Sequence, residues 1–456
     1  MIARRLLLAL GVALLAACAS APQPAREFPP IVFVPGNGDD AAIWQTTIWR
    51  FESNGWPRDR LHALNMPYPL ARDDDSRAQP GRSSTAESMA FLRAEVEAVL
   101  KATGARQVVL MGVSRGGYAI RDYIQNGGGD KTVSHAVLGG TPNHGLQAVP
   151  GLNEANEFSG TGPFLKSLNA PKNAAGDEVT GPVKWLTIRS DKNDKYAQPD
   201  GLWLGMRGKP TNVTYAGPEL KGATNVVIPG VDHRETATSP AAFDAAYRFI
   251  TGKAPATTAV LAEDHVMLMG KVTGLGVTSI DPVSGNGVNN LPLPGARVQV
   301  YVIDLNTGER IGDAIYKQTV GEDGLWGPIH AQPQTRYEFV VASAGYATMH
   351  VYRSPFLRSS SIVNFRAERI APDDRNAPAI ATMARPRGYL DPGRDKMAFD
   401  GQSPPPGAVL GAGVASSRVK PTGLPRAITA EFNGERVIGR TWPAANNEIS
   451  ILELTY

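Results

Sequence analysis

Between residues 31 and 253, short apolar runs alternate with amphipathic stretches, and this alternation constrains the fold more than any other feature of the chain. IVFV (31–34) and VVLM (108–111) have the length and composition of buried strands, whereas residues 85–103 place apolar side chains at helical spacing. Strands that alternate with helices are typical of repeated β-α-β units. We therefore predict a mostly parallel sheet with helices on both faces.

The pattern changes at about residue 254, where helical periodicity ends. Alternating runs such as ARVQVYVID (296–304) are separated there by short turn-forming sequences. The stretch APDDRNAPAI (371–380) is rich in proline and aspartate and interrupts this region. The sequence therefore predicts two all-β, sandwich-like modules, 254–370 and 371–456, after the α/β domain.

The N-terminus has the features of an export signal. Arg4 and Arg5 precede an apolar run at residues 6–16, which is too short to span a bilayer. The mature protein is therefore expected outside the cytoplasm, either at the cell surface, as an outer-membrane lipoprotein, or free in the extracellular space.

The end of this segment, LAAC, resembles a bacterial lipobox. Its cysteine, Cys18, is the only one in the chain, so no internal disulfide is possible. On this interpretation residues 1–18 are a lipoprotein signal peptide, lipidated Cys18 associates the protein with a membrane, and residues 19–30 form a tether. The alternative is a plain secretory signal that is cleaved near Ala21.

The net charge and the numbers and spacing of histidine and cysteine argue against two classes of function, nucleic acid binding and metal binding. The formal net charge of +3 over 456 residues gives no reason to expect a nucleic acid partner. The seven histidines show no ligand-like spacing, and the chain offers no second cysteine. We therefore predict neither a metal site nor a cofactor.

A candidate nucleophile lies between a predicted strand and a predicted helix. VVLMGVSRGGYAI contains the pattern G-x-S-x-G, centred on Ser114. In a chain with 48 glycines the pattern alone is weak evidence, but a strand before it and a helix after it strengthen it. A serine hydroxyl also needs a base to take its proton and donors that stabilise the oxyanion.

An acid and then a histidine are expected downstream of the serine. His233, between the last predicted strand and the last predicted helix, is the candidate base, and His144 is a weaker one. Both Asp191 and Asp194 follow the strand VKWLTI, and we prefer Asp194 because it lies further past the end of that strand. Asp200 is a third candidate.

The oxyanion donors are predicted to be backbone N–H groups. One belongs to Arg115, which follows the serine, and the other to Asn37 in the turn PGNGDD after the first strand.

Together these residues give the range 31–253 a resemblance to bacterial lipases and esterases of the α/β-hydrolase superfamily. VFVPGNGDDAAIW resembles the family's oxyanion loop, EVEAVLKATGARQVVLMGVSRGGYAIRDYI its helix–strand–elbow–helix unit, and LGGTPNHG the turn after the next strand. Pro35 replaces the usual histidine of the oxyanion loop, and Val113 and Arg115 replace the common histidine and methionine around the serine. These departures leave the predicted triad intact.

The region after residue 253 also carries resemblances. The whole architecture is similar to that of an archaeal lipase with a C-terminal lipid-binding β-domain. Residues 254–370 also resemble a transthyretin-like or carboxypeptidase-regulatory sandwich. Residues 254–456 are not expected to be needed to complete the triad, and either a stabilising role or a substrate-docking role is open. For docking, the candidate exposed residues, most of which are expected in the core, are Leu325, Trp326, Tyr346, Phe356 and Leu357.

The resemblance implies a secreted serine carboxylesterase or lipase that needs no cofactor and forms an acyl-enzyme on Ser114. One alternative is an extracellular polyester depolymerase with the same triad, and a second is a non-catalytic surface adhesion protein. The sequence leaves open whether residues 70–84 or 146–180 cover the site.

Overall fold

The computed structural model describes residues 28–201, 208–274, 288–410, 413–423 and 425–456. The predicted signal peptide, Cys18 and most of the predicted tether lie outside these described residues.

Six strands form one sheet in the first half of the chain, with the order β2-β1-β3-β4-β5-β6. Every neighbouring pair in it is parallel. The strands are β1 (Ile31–Val34), β2 (Leu61–Ala63), β3 (Val108–Val113), β4 (Val133–Gly139), β5 (Lys184–Ser190) and β6 (Thr224–Ile228). Helices follow most of these strands, so the predicted α/β fold class is confirmed.

Six helices accompany the sheet: α1 (Gln45–Ser53), α2 (Thr85–Thr103), α3 (Arg115–Asn126), α4 (Pro163–Leu168), α5 (Glu235–Thr238) and α6 (Pro240–Thr251). Helix α2 shows why the sequence specifies its ends. The Ser84 hydroxyl and the Glu87 carboxylate form a reciprocal capping box at its start, and Gly104 adopts the left-handed conformation at its end. None of the helices in the described ranges is long and apolar enough to cross a bilayer.

Successive residues of the central strands pack on opposite faces of the sheet. Val32 of β1 and Leu110 of β3 contact one core, which α2 and α3 complete. Phe33 and Met111, one position later, contact the other core, which α1 and α6 complete. This period-two alternation, with both faces covered, explains why these strands are apolar at every position.

Strand β2 is the shortest strand of the parallel sheet, with three residues. Only Leu61–Ala63 pair with β1. Pro67 and Pro69 follow and cannot donate a backbone hydrogen bond to a neighbouring strand, which limits the strand to its first residues.

From residue 254 on, the described residues form strands, turns and two three-residue 3-10 helices, Pro372–Asp374 and Ala444–Asn446, which confirms the predicted all-β character. A seven-stranded sheet has the order β16-β14-β19-β12-β11-β8-β9, and two three-stranded sheets have the orders β10-β7-β13 and β15-β17-β18. The strands are β7 (Val266–Gly274), β8 (Arg297–Val302), β9 (Tyr316–Thr319), β10 (Leu325–Ala331), β11 (Tyr337–Ala342), β12 (Thr348–Arg353), β13 (Phe365–Ala367), β14 (Ala381–Ala384), β15 (Met397–Phe399), β16 (Ser416–Val419), β17 (Ala427–Phe432), β18 (Glu435–Arg440) and β19 (Glu448–Glu453).

The seven-stranded sheet joins the two predicted β ranges. Strand β19, near the C-terminus, pairs in parallel with β12 of the earlier range and with β14 of the later one. Val351 of β12 lies in the core shared with β7 and β10, whereas Tyr352 lies in the core shared with β15, β17 and β18. The boundary at residue 370 stays a prediction, but strand pairing and packing connect its two sides.

The residues proposed for an exposed apolar patch are mostly buried. Trp326, Tyr346 and Phe356 are at most 5% exposed, because the sheets on either side cover them. Leu325 is 51% exposed and Leu357 is half-buried. A contiguous exposed patch of these five residues is therefore not present.

Helix α1 connects the α/β domain to the β region. Trp49 is buried in the core formed by β7, β10 and β11, and its indole N–H donates to the carbonyl of Ser359 at 2.9 Å. The Arg50 guanidinium donates to the carbonyl of Thr258 at 2.9 Å. Removal of the β region would expose Trp49, so the α/β domain is not structurally independent of residues 254–456.

Candidate active site

Ser114 lies at the sharp turn between β3 and α3. Its φ of 54° and ψ of −123° form a strained conformation that costs a non-glycine residue about 1–3 kcal/mol. Two glycines permit the turn. A Cβ at Gly116 would lie 2.5 Å from the carbonyl oxygen of Val34, and a Cβ at Gly112 would lie 2.7 Å from Ile120. Glycine at both positions therefore lets β1, β3 and α3 meet at the serine.

His233 and Asp194 form a buried hydrogen-bonded pair. The Nδ1 atom of His233 is 2.9 Å from both carboxylate oxygens of Asp194, and each side chain is 5% exposed. Because a carboxylate only accepts, Nδ1 carries the hydrogen and Nε2 is left with its lone pair. The Asp194 carboxylate also accepts the N–H of Tyr196 at 2.8 Å. This pair has the geometry of a general base held by its orienting acid.

The other residues that the sequence offers as the acid or the base, Asp191, Asp200 and His144, are not part of the His233–Asp194 pair. Asp191 accepts the backbone N–H groups of Lys192 and Gly230 at 2.6 and 3.1 Å. The bond from Gly230, with weaker help from Lys192, lowers the pKa of Asp191, as expected for a turn residue. Asp200 is exposed. His144 contacts the carbonyl of Gly217 and the carboxylate of Glu178.

The end of strand β4 brings Ser114 and His233 to one place. The N–H of Ser114 donates to the carbonyl of Gly139 at 2.9 Å. At the next residue, Gly140, an added Cβ would lie 3.2 Å from Nδ1 of His233. Both residues therefore lie beside the end of β4, at the carboxyl edge of the sheet, where open α/β sheets place their sites.

An aromatic ring completes the surroundings of the histidine. Tyr196 packs edge-on against the His233 ring, with the ring centroids 4.5 Å apart. Burial raises the pKa of Tyr196, so its phenol stays neutral beside the imidazole. The sequence offered no signal for this contact, because Tyr196 lies in a polar loop.

The loop after β1 passes directly beside the serine. A Cβ at Gly36 would lie 3.3 Å from Cβ of Ser114. The Asn37 side chain accepts the N–H of Ala71 at 2.8 Å, which fixes the loop tip. Arg115 is the first residue of α3, and its N–H is one of the donors that a helix leaves unpaired at its start. The predicted oxyanion donors, Asn37 and Arg115, therefore border the serine on two sides, and their role stays a prediction.

The Arg115 side chain has a role that the sequence did not indicate. Its guanidinium forms a bidentate ion pair with Glu157, at 2.7 and 2.8 Å, and the side chains are 5% and 1% exposed. It also donates to the carbonyls of Pro69 and Ser83 at 3.1 and 2.8 Å. Arg115 thus connects the nucleophile turn to both segments that were candidates for covering the site, residues 70–84 and 146–180.

We expect Arg115→Met to destabilise the protein by about 3–5 kcal/mol at neutral pH, because Glu157 would remain buried without its cation. Burial already raises the pKa of Glu157, and loss of Arg115 would raise it further. A carboxyl group whose pKa is higher in the folded state stabilises that state at low pH and loses this effect as pH rises. The deficit, measured by urea unfolding, should therefore be smaller at pH 5 than at pH 8.

Two comparisons distinguish this effect from a general loss of charge. Arg115→Met combined with Glu157→Leu removes both buried charges and should recover most of the stability. Arg248→Met, which removes a partner of the exposed pair with Asp244, should leave the unfolding midpoint almost unchanged. A single Arg115→Met variant as stable as the double variant at pH 8 would contradict the prediction.

The parallel sheet, the strained serine after β3 and the histidine–aspartate pair at its carboxyl edge define an α/β-hydrolase. Residues 29–157 match the family model described as Lipase (class 2), and residues 264–370 match the model described as Lipase C-terminal domain. The resemblance to bacterial lipases and esterases is thereby confirmed. No curated protein matches the sequence.

Solved structures with a similar arrangement include several lipases. Aspergillus fumigatus lipase B is 15% identical, with 53% of this chain and 56% of that chain covered and a TM-score of 0.37. Mature Bacillus licheniformis lipase BlEst2 is 21% identical, with 48% and 89% covered and a TM-score of 0.33. The monoacylglycerol lipase of Paleococcus ferrophilus is 15% identical, with 44% and 85% covered and a TM-score of 0.30. The match thus spans only about half of the Aspergillus lipase.

Metal-ligating side chains are not clustered in the part of the chain that the structure describes, which holds no group of three or more His, Cys, Asp or Glu residues suited to an ion. The groups gathered at the site are instead a hydroxyl, an imidazole, a carboxylate and backbone N–H donors.

Proposed function

We propose that the protein is an exported carboxylesterase or lipase that hydrolyses acyl esters with Ser114 as nucleophile, His233 as general base and Asp194 as the orienting acid. The observation that carries the proposal is the convergence of a strained serine and a buried histidine–carboxylate pair on residues 139–140 at the end of β4. Strained backbone at a residue with a base beside it is characteristic of an activated nucleophile.

The reaction follows from the atoms at the site. The Ser114 oxygen attacks the ester carbonyl while its proton moves to Nε2 of His233, and the N–H groups of Asn37 and Arg115 hold the oxyanion. The tetrahedral intermediate collapses to an acyl-enzyme, and the departing alkoxide takes the proton from His233. Water then attacks the acyl-enzyme and gives a proton to His233. The second tetrahedral intermediate collapses, the Ser114 oxygen takes that proton back from His233, and the carboxylic acid is released.

We also propose that the protein is anchored to a membrane through lipidated Cys18. This rests on the LAAC motif, since Cys18 lies outside the described residues. The wild-type protein should incorporate labelled palmitate and sediment with membranes, and Cys18→Ser should do neither, because several buried acyl chains are needed for firm anchoring. If the wild-type protein is unlabelled and freely soluble, a plain secretory signal is the remaining interpretation of the N-terminus.

A panel of p-nitrophenyl esters from acetate to palmitate tests the proposed activity and its chain-length preference. We expect hydrolysis of the soluble short and medium esters by the wild-type protein. Turnover of a solid polyester without turnover of any member of the panel would favour the depolymerase alternative. No turnover of either substrate by folded protein would favour the adhesion alternative.

A further inference from the structure

The segment around His233 is a capping box. The Asp232 carboxylate accepts the N–H groups of Arg234 and Glu235, both at 2.9 Å, while the Glu235 carboxylate accepts the N–H of Asp232 at 2.8 Å. The sequence D-H-R-E therefore folds into one tight turn with His233 inside it. The orientation of the imidazole depends on how firmly Asp232 and Glu235 are held.

Both acids are held by the loop of residues 385–394 (RPRGYLDPGR), which follows β14 in the C-terminal β region. Asp232 is fully buried and accepts the N–H of Tyr389 at 2.7 Å and the Arg385 guanidinium at 3.1 Å. Glu235 accepts Arg385 through one carboxylate oxygen and Arg394 through the other, both at 2.5 Å. Arg385 is itself 6% exposed, so these contacts lie inside the protein.

The side chain of Tyr389 contacts the residues that follow both members of the histidine–aspartate pair. Nζ of Lys195, the neighbour of Asp194, lies 3.7 Å from the centroid of the Tyr389 ring. The guanidinium carbon of Arg234, the neighbour of His233, lies 5.3 Å from the same centroid. One ring thus packs between the acid loop and the histidine loop, through cation–π contacts with each.

Arg234 extends this arrangement to the oxyanion loop. Its guanidinium donates to the carboxylate of Asp39 at 2.6 Å, and the other oxygen of that carboxylate would lie 3.0 Å from a Cβ at Gly36. The loop that borders Ser114 is therefore connected to the histidine turn, and the histidine turn to residues 385–394.

We propose that the 385–394 loop is a positioning element of the active site, in which Arg385 and Tyr389 hold the His233 turn in its productive orientation. The proposal rests on the proposed function of His233. It assigns a catalytic dependence to a part of the chain that lies outside the α/β domain and touches no substrate.

Electrostatics also depends on these cations. Burial and the nearby Glu235 raise the pKa of Asp232, and the cations Arg385 and Arg394 oppose that shift. Loss of Arg385 removes one of these two cations and, with it, the side-chain contacts of Arg385 to both Asp232 and Glu235.

The test compares Arg385→Gln with the wild-type protein on p-nitrophenyl butyrate. We expect kcat to fall roughly 10- to 100-fold while KM changes less than about twofold, because displacement of a base by about 1 Å costs this much without weakening substrate binding. Arg385→Lys, which keeps the charge, should recover much of kcat.

Two further variants serve as a control for Arg385→Gln and as its replacement. Arg426→Gln removes a bidentate ion pair with Asp400 in the same β region, outside the 385–394 loop, and should leave kcat within about twofold of wild type. If Arg385→Gln does not fold by circular dichroism, Arg394→Gln replaces it, because Arg394 is 24% exposed, and a loss of about 3- to 10-fold in kcat is expected.

Wild-type kcat in the folded Arg385→Gln variant would overturn the positioning role. Failure of the proposed function itself would be seen separately, as wild-type ester hydrolysis that is absent or that survives Ser114→Ala.

Discussion

Ser114→Ala is expected to lower kcat for ester hydrolysis by about 10⁴- to 10⁶-fold while the protein remains folded. The change removes one oxygen atom, the proposed nucleophile, from a turn whose shape depends on Gly112 and Gly116 and not on the serine side chain. The residual rate should come from the oxyanion donors and from substrate binding alone. Initial rates on p-nitrophenyl butyrate measure this loss, and circular dichroism verifies the fold.

The outcome separates catalysis at Ser114 from any other source of activity. Glycine at both flanks keeps the turn available to alanine, so an unfolded variant is not expected. A folded Ser114→Ala protein that retains more than about one-hundredth of the wild-type rate would contradict the mechanism.

Asp194→Asn is expected to lower kcat by about 10⁴-fold, because an amide at this position stabilises the wrong tautomer of His233. In the wild-type protein Nδ1 of His233 lies 2.9 Å from both oxygens of Asp194. An asparagine presents one oxygen and one N–H₂ group there, so Nε2 no longer accepts the serine proton reliably. Steady-state kinetics at the pH of maximal activity measures the loss.

Asp191→Asn is the matched control, since it makes the same chemical change three residues earlier in the same loop. Asp191 accepts backbone N–H groups of Lys192 and Gly230, and an asparagine oxygen can still accept them. We expect a change of no more than a few-fold in kcat. Collapse of Asp191→Asn together with near-normal Asp194→Asn would reverse the assignment of the orienting acid.

The two halves of the chain are coupled more closely than their compositions suggest. Trp49 of the α/β domain is buried in the β core, and Asp232 of the histidine turn accepts from Arg385 and Tyr389 of the β region. A truncation at residue 253 would therefore expose an indole and leave Asp232 and Glu235 without their cations. Point variants such as Arg385→Gln and Ser114→Ala are better probes of function than removal of the β region.

The sequence alone determined the features that depend on local pattern. The alternation of apolar runs and amphipathic helices specified a parallel sheet, because strands buried on both faces must be apolar throughout. Ser84, Glu87 and Gly104 specified the two ends of α2, since caps are made by side chains within one turn. The flanking glycines and the strand–helix context made Ser114 recognisable, because the elbow is formed by neighbouring residues.

Only the tertiary structure decided which distant groups meet. Asp191 and Asp194 are equivalent by residue type, and the fold alone directs the second toward His233 and the first toward Gly230. The ion pair of Arg115 with Glu157 joins residues 42 positions apart, and the contact of Arg385 with Asp232 joins residues 153 positions apart. No local sequence pattern encodes such pairs, because charged side chains are common on any protein surface. These few charged side chains have their partners because packed segments of the chain bury them together.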